Sequence, residues 1–246
     1  MKRPLPLLAG LLVAAYLALA WFELVPGGWR LRNLFEPWPE RRARRELEHR
    51  EERLEQFRAE QHGSRPVVFL GSSTIERFPL AEVFPGISAL NRGVAFEDSR
   101  RLLERLEVGV PGDAAGFVLY VASIDHRFTD ATAGEVAGAL RRVVEALRTR
   151  HPEAPVAVLG LLPERELGAS ARERLEAANA ALAQASVELG AVFVPTDRPP
   201  LADPEGHLEL TLSTDELHLS PAGYSVLGGW LRSESGALGA LLRSDR

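Results

Sequence analysis

An aspartate and a histidine stand three residues apart near the end of this chain, at Asp215 and His218. The histidine lies just before a predicted helix, because Ser220 is a favourable N-cap residue and Pro221 suits the first helical position. A carboxylate beside an imidazole fixes the tautomer of the ring and stabilises the imidazolium that forms when the ring takes a proton. The spacing therefore predicts a general base held by a carboxylate, which would need a nucleophile from elsewhere in the chain.

A candidate nucleophile lies far upstream, in the sequence Gly71-Ser72-Ser73-Thr74. It follows the apolar residues 67–70, which are typical of a buried strand that ends in a turn of small residues. Open α/β sheets place their sites at the carboxyl ends of parallel strands, so a serine here stands where a site is expected. On its own, a serine after a glycine is more often a turn or a helix cap, and the catalytic interpretation depends on the acid–base pair downstream.

The chain has six histidines, and His218 is favoured over the other five as the base. Four of those five lie on a charged helix, at its end, or in loops rich in proline and glycine: His49, His62, His151 and His207. His126 is the serious competitor, because it follows a predicted strand next to Asp125; we interpret it as lining the mouth of a pocket or lying on the surface. The alternative is a metal site built from Asp125, His126, Asp215 and His218, although no tight ligand spacing such as His-Glu-x-x-His accompanies it.

The elements that must position these residues are short apolar segments alternating with helical patterns. The predicted strands cover residues 67–70, 88–91, 116–121, 156–161 and 191–194. The predicted helices cover residues 99–107, 133–150, 170–189 and 221 to about 235. Such alternation predicts a parallel sheet covered by helices on both faces, which is a three-layer α/β/α domain with a five-stranded parallel sheet over residues 63–246.

The N-terminal residues 1–22 are predicted to be a membrane anchor or a signal segment. Lys2 and Arg3 precede an uncharged, mostly apolar run over residues 5–22, whose length is at the lower limit for a membrane-spanning helix. The run is long for a signal peptide, so an uncleaved anchor is favoured over cleavage near Ala20. The basic tail is typical of an export signal and favours a catalytic domain on the outer (periplasmic or extracellular) side, whereas arginines beyond the run favour the opposite orientation.

Residues 23–62 are predicted to form a linker followed by a charged helix. Proline and glycine within residues 23–39 indicate a loop, whereas residues 40–61 are dense in arginine and glutamate and contain neither. Leu47, Leu54 and Phe57 form a thin apolar stripe that would pack this helix along the following domain.

The composition excludes several classes of protein. The chain of 246 residues is long enough for one α/β domain with a sizeable core and an N-terminal extension. Its net charge of −5 argues against a nucleic-acid binder, which usually has a basic surface. The absence of cysteine excludes thiolate catalysis, disulfides and cysteine metal sites.

Taken together, these residues resemble the SGNH (GDSL) hydrolase family, and most closely its branch similar to platelet-activating-factor acetylhydrolase. The resemblance covers about residues 45–235 and implies a flavodoxin-like α/β/α fold. It assigns the nucleophile to Ser73 and the rest of a catalytic triad to Asp215 and His218, which the family-like residues 219–224 follow. It also implies that the N–H groups of Ser73 and Gly93 line the oxyanion hole.

One block of the family pattern is altered. After the third strand the family expects Gly-x-Asn-Asp, whereas this chain has Ala122-Ser123-Ile124-Asp125. The family asparagine donates a hydrogen bond to the oxyanion, and the side chain of Ile124 has no donor. Removing one such donor lowers the rate by on the order of 10²–10³, so reduced activity is predicted unless Ser123 or Asn91 takes over part of the role.

The resemblance implies a serine esterase that hydrolyses short-acyl carboxylic esters through an acyl-serine intermediate. It implies no metal or organic cofactor, and substrates on envelope glycans or lipids would suit a membrane-tethered domain. The pocket is predicted to include Asn91, Phe96, Asp125 and His126. Two alternatives stay open, a catalytically weak or inactive domain that binds acylated ligands and an acyltransferase that uses the same triad.

Overall fold

The computed structural model describes residues 12–19, 38–166 and 168–243 of the chain. The chain divides into two compact units, Met1–His49 and Arg50–Arg246. In the first unit, residues 12–19 are helical and the long helix α1 (Trp38–Ala59) begins. The second unit contains the rest of α1 and all the strands. The predicted boundaries at residues 22 and 62 stay a prediction.

The predicted membrane helix is not supported. Within the three described stretches, no helix is both long enough and apolar enough to cross a membrane. Most of the predicted run over residues 5–22 lies outside the described residues, and the part that is described is a helix of residues 12–19.

Five strands form a single parallel sheet, as the alternation of the sequence predicts. They are β1 (Val67–Gly71), β2 (Ala89–Gly93), β3 (Gly116–Tyr120), β4 (Val156–Leu159) and β5 (Val192–Val194), in the spatial order β2-β1-β3-β4-β5. The order is that of flavodoxin-like sheets. β1 lies between β2 and β3 with Gly71 opposite Gly93 on one side and Tyr120 on the other, so three strand ends meet beside the candidate serine. Every residue of β1, β3 and β4 is buried, because helices cover both faces of the sheet.

The helices confirm the three-layer fold and correct some of the predicted bounds. The longer ones are α7 (Ala133–Arg150), α8 (Ala169–Glu188) and α9 (Pro221–Glu234). The shorter ones are α2 (Ser73–Glu76), α3 (Leu80–Val83), α4 (Ser99–Glu104), α5 (Leu106–Gly109), α6 (Ser123–Phe128) and α10 (Ala237–Leu241), together with a 3-10 turn at Leu210–Leu212. Helix α7 packs against α8 and α4, and helix α9 packs against α10 and α3. The predicted helix over residues 99–107 was wrong as a single element, since it breaks at Arg105 into α4 and α5.

The apolar stripe of the charged helix is confirmed only in its second half. Leu54 and Phe57 are buried and cluster with Val94, which lies just after β2. Leu47 is 50% exposed. The part of α1 that belongs to the second unit therefore rests on the loop after β2, one of the loops at the carboxyl edge of the sheet.

Candidate active site

Ser73 begins a short helix directly after the central strand. β1 ends at Gly71, Ser72 is the N-cap, and Ser73 is the first residue of α2. The N–H groups in the first turn of a helix have no partner within the helix, so the N–H of Ser73 is a donor at the carboxyl edge of the sheet. The hydroxyl oxygen Oγ of Ser73 lies 3.0 Å from Nε2 of His218, which is hydrogen-bond distance. The structure thus brings the candidate nucleophile and base together across 145 residues of sequence.

Asp215 holds the other side of the imidazole. Both carboxylate oxygens of Asp215 lie 2.8 Å from Nδ1 of His218. The backbone N–H groups of Leu217 and His218 each donate to Oδ1 of Asp215 at 2.9 Å. The carboxylate is therefore fixed by its own tight turn, and it favours the tautomer of His218 that carries the proton on Nδ1 and presents Nε2 to Ser73 as an acceptor.

The hydrogen bonds keep Asp215 ionised. Burial opposes its charge, but the bonds from the Leu217 N–H, the His218 ring and the His218 N–H outweigh burial and lower the pKa of Asp215 to about 2. Nη1 of Arg77 lies 3.4 Å from Oδ2 of Asp215, with about half of each side chain exposed, so solvent screens this pair. Asp215 is therefore a carboxylate at any pH above about 4.

Helix α9, which follows His218, contacts the residues that follow Ser73. The capping predicted for Ser220 is confirmed, since its Oγ accepts the N–H of Gly223 at 3.3 Å and Pro221 is the first helical residue. On α9, the hydroxyl of Tyr224 donates to the carbonyl of Thr74 at 2.8 Å. Its ring packs 4.9 Å, between centroids, from that of Phe78. Burial raises the pKa of Tyr224, so this hydroxyl keeps its proton.

Gly93 is a glycine because α2 approaches it closely. A Cβ atom at Gly93 would lie 2.1 Å from the backbone nitrogen of Glu76, closer than any side chain permits. The N–H of Gly93 donates to Oδ1 of Asn91 at 3.0 Å. As an oxyanion donor Gly93 would first have to give up this bond, and its predicted role stays a prediction.

Asn91 connects the end of α2 to β2 through its side chain. Its amide nitrogen lies 2.6 Å from the carbonyl oxygen of Ile75, 3.1 Å from that of Glu76 and 3.2 Å from that of Phe78. Its carboxamide is thus committed to backbone groups on both sides. The expectation that Asn91 replaces the missing family asparagine is therefore not supported by its contacts.

The segment that contains Ile124 begins with a residue, Ala122, whose backbone has the left-handed conformation. Ala122, where the family pattern has glycine, is the N-cap of α6 and has φ of 64°, a conformation that costs an alanine about 1–2 kcal/mol. The hydroxyl of Ser123 is buried and lies 2.8 Å from that of Ser72. Ser123 is therefore paired with the neighbour of the candidate nucleophile, and Ile124 follows it as a partly buried side chain without a donor.

The other predicted pocket residues lie in different surroundings. Asp125 accepts from the N–H and hydroxyl of Ser99 at 3.0 and 2.8 Å, so it fixes the start of α4. Phe96 is 44% exposed in the loop after β2, with φ of 60°. His126 is half-buried and lines a small cavity. Among the described residues no group of three or more carboxylate and imidazole side chains is arranged to hold a metal ion.

Sequence reasoning missed two residues that hold the loop after β2. Nε and Nη2 of Arg53 on α1 both donate to the carbonyl of Gly93, at 3.2 and 3.1 Å. Oε2 of Glu76 accepts the N–H of Ala95 at 2.5 Å. A signal for Arg53 was present, because it precedes the buried Phe57 by four residues and so lies on the packed face of the helix.

The model of the GDSL-like Lipase/Acylhydrolase family matches residues 76–226, which is more than half of the chain. The chain belongs to this family. The match includes Asp215 and His218 and begins three residues after Ser73. Membership of the GDSL-like family supports an ester-hydrolysing enzyme, and it confirms the resemblance found in the sequence.

Individual relatives point to the same branch. The human platelet-activating factor acetylhydrolase IB subunit alpha2 is 29% identical over 167 residues, which cover 65% of this chain and 72% of the relative. A Streptococcus pneumonia structure described as a platelet activating factor is 26% identical with a TM-score of 0.69, covering 76% of this chain and 92% of that one. A GDSL-like lipase from Bacteroides thetaiotaomicron shares the fold with a TM-score of 0.63 at 18% identity, covering 74% of this chain and 94% of its own.

Proposed function

We propose that this GDSL-like protein is a serine esterase that hydrolyses short-acyl carboxylic esters through an acyl-serine intermediate. The observation that carries the proposal is the continuous hydrogen-bonded chain from Ser73 through His218 to Asp215, with links of 3.0 and 2.8 Å. Such a chain converts a weakly nucleophilic hydroxyl into one that a neighbouring base can deprotonate during attack.

The mechanism follows from the positions of the protons. As Oγ of Ser73 attacks the ester carbonyl, Nε2 of His218 takes the hydroxyl proton, and the imidazolium is stabilised by Asp215. The tetrahedral intermediate then collapses, and His218 returns the proton to the leaving alcohol. Water deprotonated by His218 attacks the acyl-serine in the same way and releases the carboxylic acid, which restores Ser73.

Stabilisation of the oxyanion is the weakest part of the proposed mechanism, because few hydrogen-bond donors are available. The N–H of Ser73 is the first proposed donor, and the N–H of Gly93 becomes a second one only if Asn91 releases it. Because Ile124 supplies no third donor, the proposed enzyme is slower than one with the family asparagine by on the order of 10²–10³. The same feature favours a second candidate function, a barely active domain that binds acylated ligands.

The substrate belongs to the proposal as well. The name of the human relative indicates an acetyl ester as its substrate, which supports a short acyl group here. Placing the domain on the outer side of a membrane, with envelope glycans or lipids as substrates, rests on the sequence pattern of residues 1–22 alone. Transfer of the acyl group to an alcohol instead of water would use the same triad, and product analysis with and without an acceptor alcohol separates the two.

Covalent labelling of the purified full chain tests the proposed nucleophile. A fluorophosphonate probe is expected to attach to Ser73, because only an activated serine displaces its fluoride, and peptide mass spectrometry locates the adduct. Hydrolysis of p-nitrophenyl acetate should fall in proportion to labelling. A folded protein that is neither labelled nor active on the ester would refute the esterase and favour the ligand-binding function.

Restoring the missing donor should accelerate the reaction. Ile124→Asn is expected to raise kcat on p-nitrophenyl acetate, by up to about 10²–10³ if the amide reaches the oxyanion. Ile124→Leu is the matched control, because it has a similar volume and no donor. Equal rates for the asparagine and leucine variants would show that position 124 does not contact the oxyanion.

A further inference from the structure

A small charged cavity lies between α6 and the first two turns of α8. It has a volume of about 160 Å³, and its walls include Arg127, Arg174, His126 and Glu164, with Leu162 and Leu175 as apolar surface. At about 30 Å³ per water molecule, it holds roughly five waters. This is smaller than the roughly 300–1,000 Å³ of a complete small-molecule site, so the cavity is the size of a subsite for one functional group.

Two hydrogen bonds connect the segments that line the cavity to the segments that carry the triad. Ser123, whose hydroxyl contacts that of Ser72 at 2.8 Å, precedes His126 by three residues on α6. One helical turn is about 5.4 Å, so His126 lies on the order of 10 Å from the nucleophile Ser73. Next to the cavity residue Glu164, Arg165 donates its N–H at 3.0 Å to the carbonyl of Glu216, the residue after Asp215. Chain neighbours of the cavity residues therefore contact the neighbours of both Ser73 and Asp215.

Its charge favours an anion. Arg127 is held in place because Nε donates to Oε1 of Glu164 at 2.9 Å and Nη2 to the carbonyl of Leu162 at 2.8 Å, and 11% of its side chain is exposed. Arg174 contacts Ser170 at 3.5 Å and has no acidic partner among the described residues. Two guanidinium groups therefore face one carboxylate, which leaves an excess of positive charge.

His126 adds an uncharged donor to the cavity. Burial, followed by the charges of Arg127 and Arg174, lowers the pKa of His126, and the carboxylate of Glu164 opposes this only in part. The ring is therefore neutral at pH 7 and has one N–H to donate, as an anion-binding site needs.

We infer that this cavity is a subsite for an anionic group, a carboxylate or a phosphate, on the alcohol part of the ester substrate. The inference rests on the proposed esterase function and narrows its substrates to short-acyl esters of anionic alcohols. The anion belongs to the alcohol part because a short acyl group on Ser73 cannot reach a cavity on the order of 10 Å away. The guanidinium of Arg127, pre-oriented by Glu164, matches the geometry of carboxylate and phosphate oxygens.

Matched esters test this specificity. The wild-type enzyme should have a higher kcat/KM for 4-acetoxybenzoate and 4-acetoxyphenyl phosphate than for the uncharged methyl 4-acetoxybenzoate. Arg174→Ala is expected to lower the first two values about tenfold or more, as loss of a charge-assisted hydrogen bond does, and to leave the third within about twofold. Arg142→Ala, which removes an exposed arginine from α7, controls for the change in net charge. A wild-type enzyme without preference for the anionic esters, or an equal loss on all three in Arg174→Ala, would overturn the inference.

Direct binding separates this subsite from the esterase function. In Ser73→Ala, inorganic phosphate should raise the pKa of His126, followed by NMR and assigned with His126→Gln, because a bound anion favours the charged ring. Arg174→Ala should weaken that shift. Phosphate that leaves the titration of His126 unchanged would refute the subsite even if esters are hydrolysed. A shift in a protein that hydrolyses no ester would support the anion site and refute the esterase.

Discussion

Ser73→Ala is expected to reduce the hydrolysis of p-nitrophenyl acetate to background and to abolish fluorophosphonate labelling. In the proposed mechanism His218 deprotonates the hydroxyl of Ser73, whose Oγ lies 3.0 Å from Nε2. Without it, no acyl-enzyme forms, and loss of the serine in a triad costs on the order of 10⁶ in kcat. Turnover measured at high enzyme concentration, with acetate release as the readout, determines the residual rate.

Ser72→Ala is the control for this prediction. The two serines are adjacent, but the hydroxyl of Ser72 is buried and pairs with that of Ser123 at 2.8 Å. Its removal leaves Ser123 without that partner, which costs about 1–3 kcal/mol of stability and should leave most of the activity. Loss of turnover in Ser72→Ala with retention in Ser73→Ala would move the nucleophile by one residue and contradict the proposed triad.

The positions of the candidate triad residues were predictable because one of their three relations is local and the other two follow from the topology of the sheet. Asp215 and His218 are three residues apart, so one turn of the backbone brings the carboxylate to the ring. Ser73 is brought to them by topology, since β1 is bordered by strands on both sides and its carboxyl end lies at the edge where the segment before α9 ends. Hydrophobic periodicity is enough to predict a parallel sheet, and a parallel sheet gathers its strand ends at one edge.

The surroundings of the triad were not predictable in the same way. Asn91 accepts the N–H of Gly93, two residues on, which is a local contact that an Asn-x-Gly sequence signals. However, the carbonyls that its amide group contacts belong to residues 75, 76 and 78, and no pattern in the sequence connects them to Asn91. The helices α2 and α6 were also missed, because four and six residues are too few to show a helical period.

Asp215→Asn is expected to lower kcat by on the order of 10⁴ with little change in fold. The carboxylate accepts from the N–H groups of Leu217 and His218 and from Nδ1 of the ring. An asparagine keeps one acceptor oxygen for the backbone and turns its amide N–H₂ toward Nδ1, which favours the tautomer with the proton on Nε2. His218 would then donate to Ser73 instead of accepting its proton.

The pH profile distinguishes this electrostatic role from a structural one. The pKa of Asp215 is about 2, so wild-type activity lost between pH 7 and pH 4 is not due to protonation of this carboxylate. As a depressed carboxylate pKa requires, the stability that Asp215 contributes is present above its unfolded pKa near 4 and is lost as the pH falls toward about 2. Asp215→Asn should therefore lose kcat at every pH, whereas its melting temperature should lie below that of the wild type at pH 7 and approach it only as the pH falls to about 2. The control is Glu216→Gln, which changes the adjacent carboxylate, 3.7 Å from Arg165 and largely exposed, and should keep kcat within about twofold. Equal losses in the two variants would mean that the negative charge of this loop, and not the bond from Asp215 to Nδ1 of His218, supports the reaction.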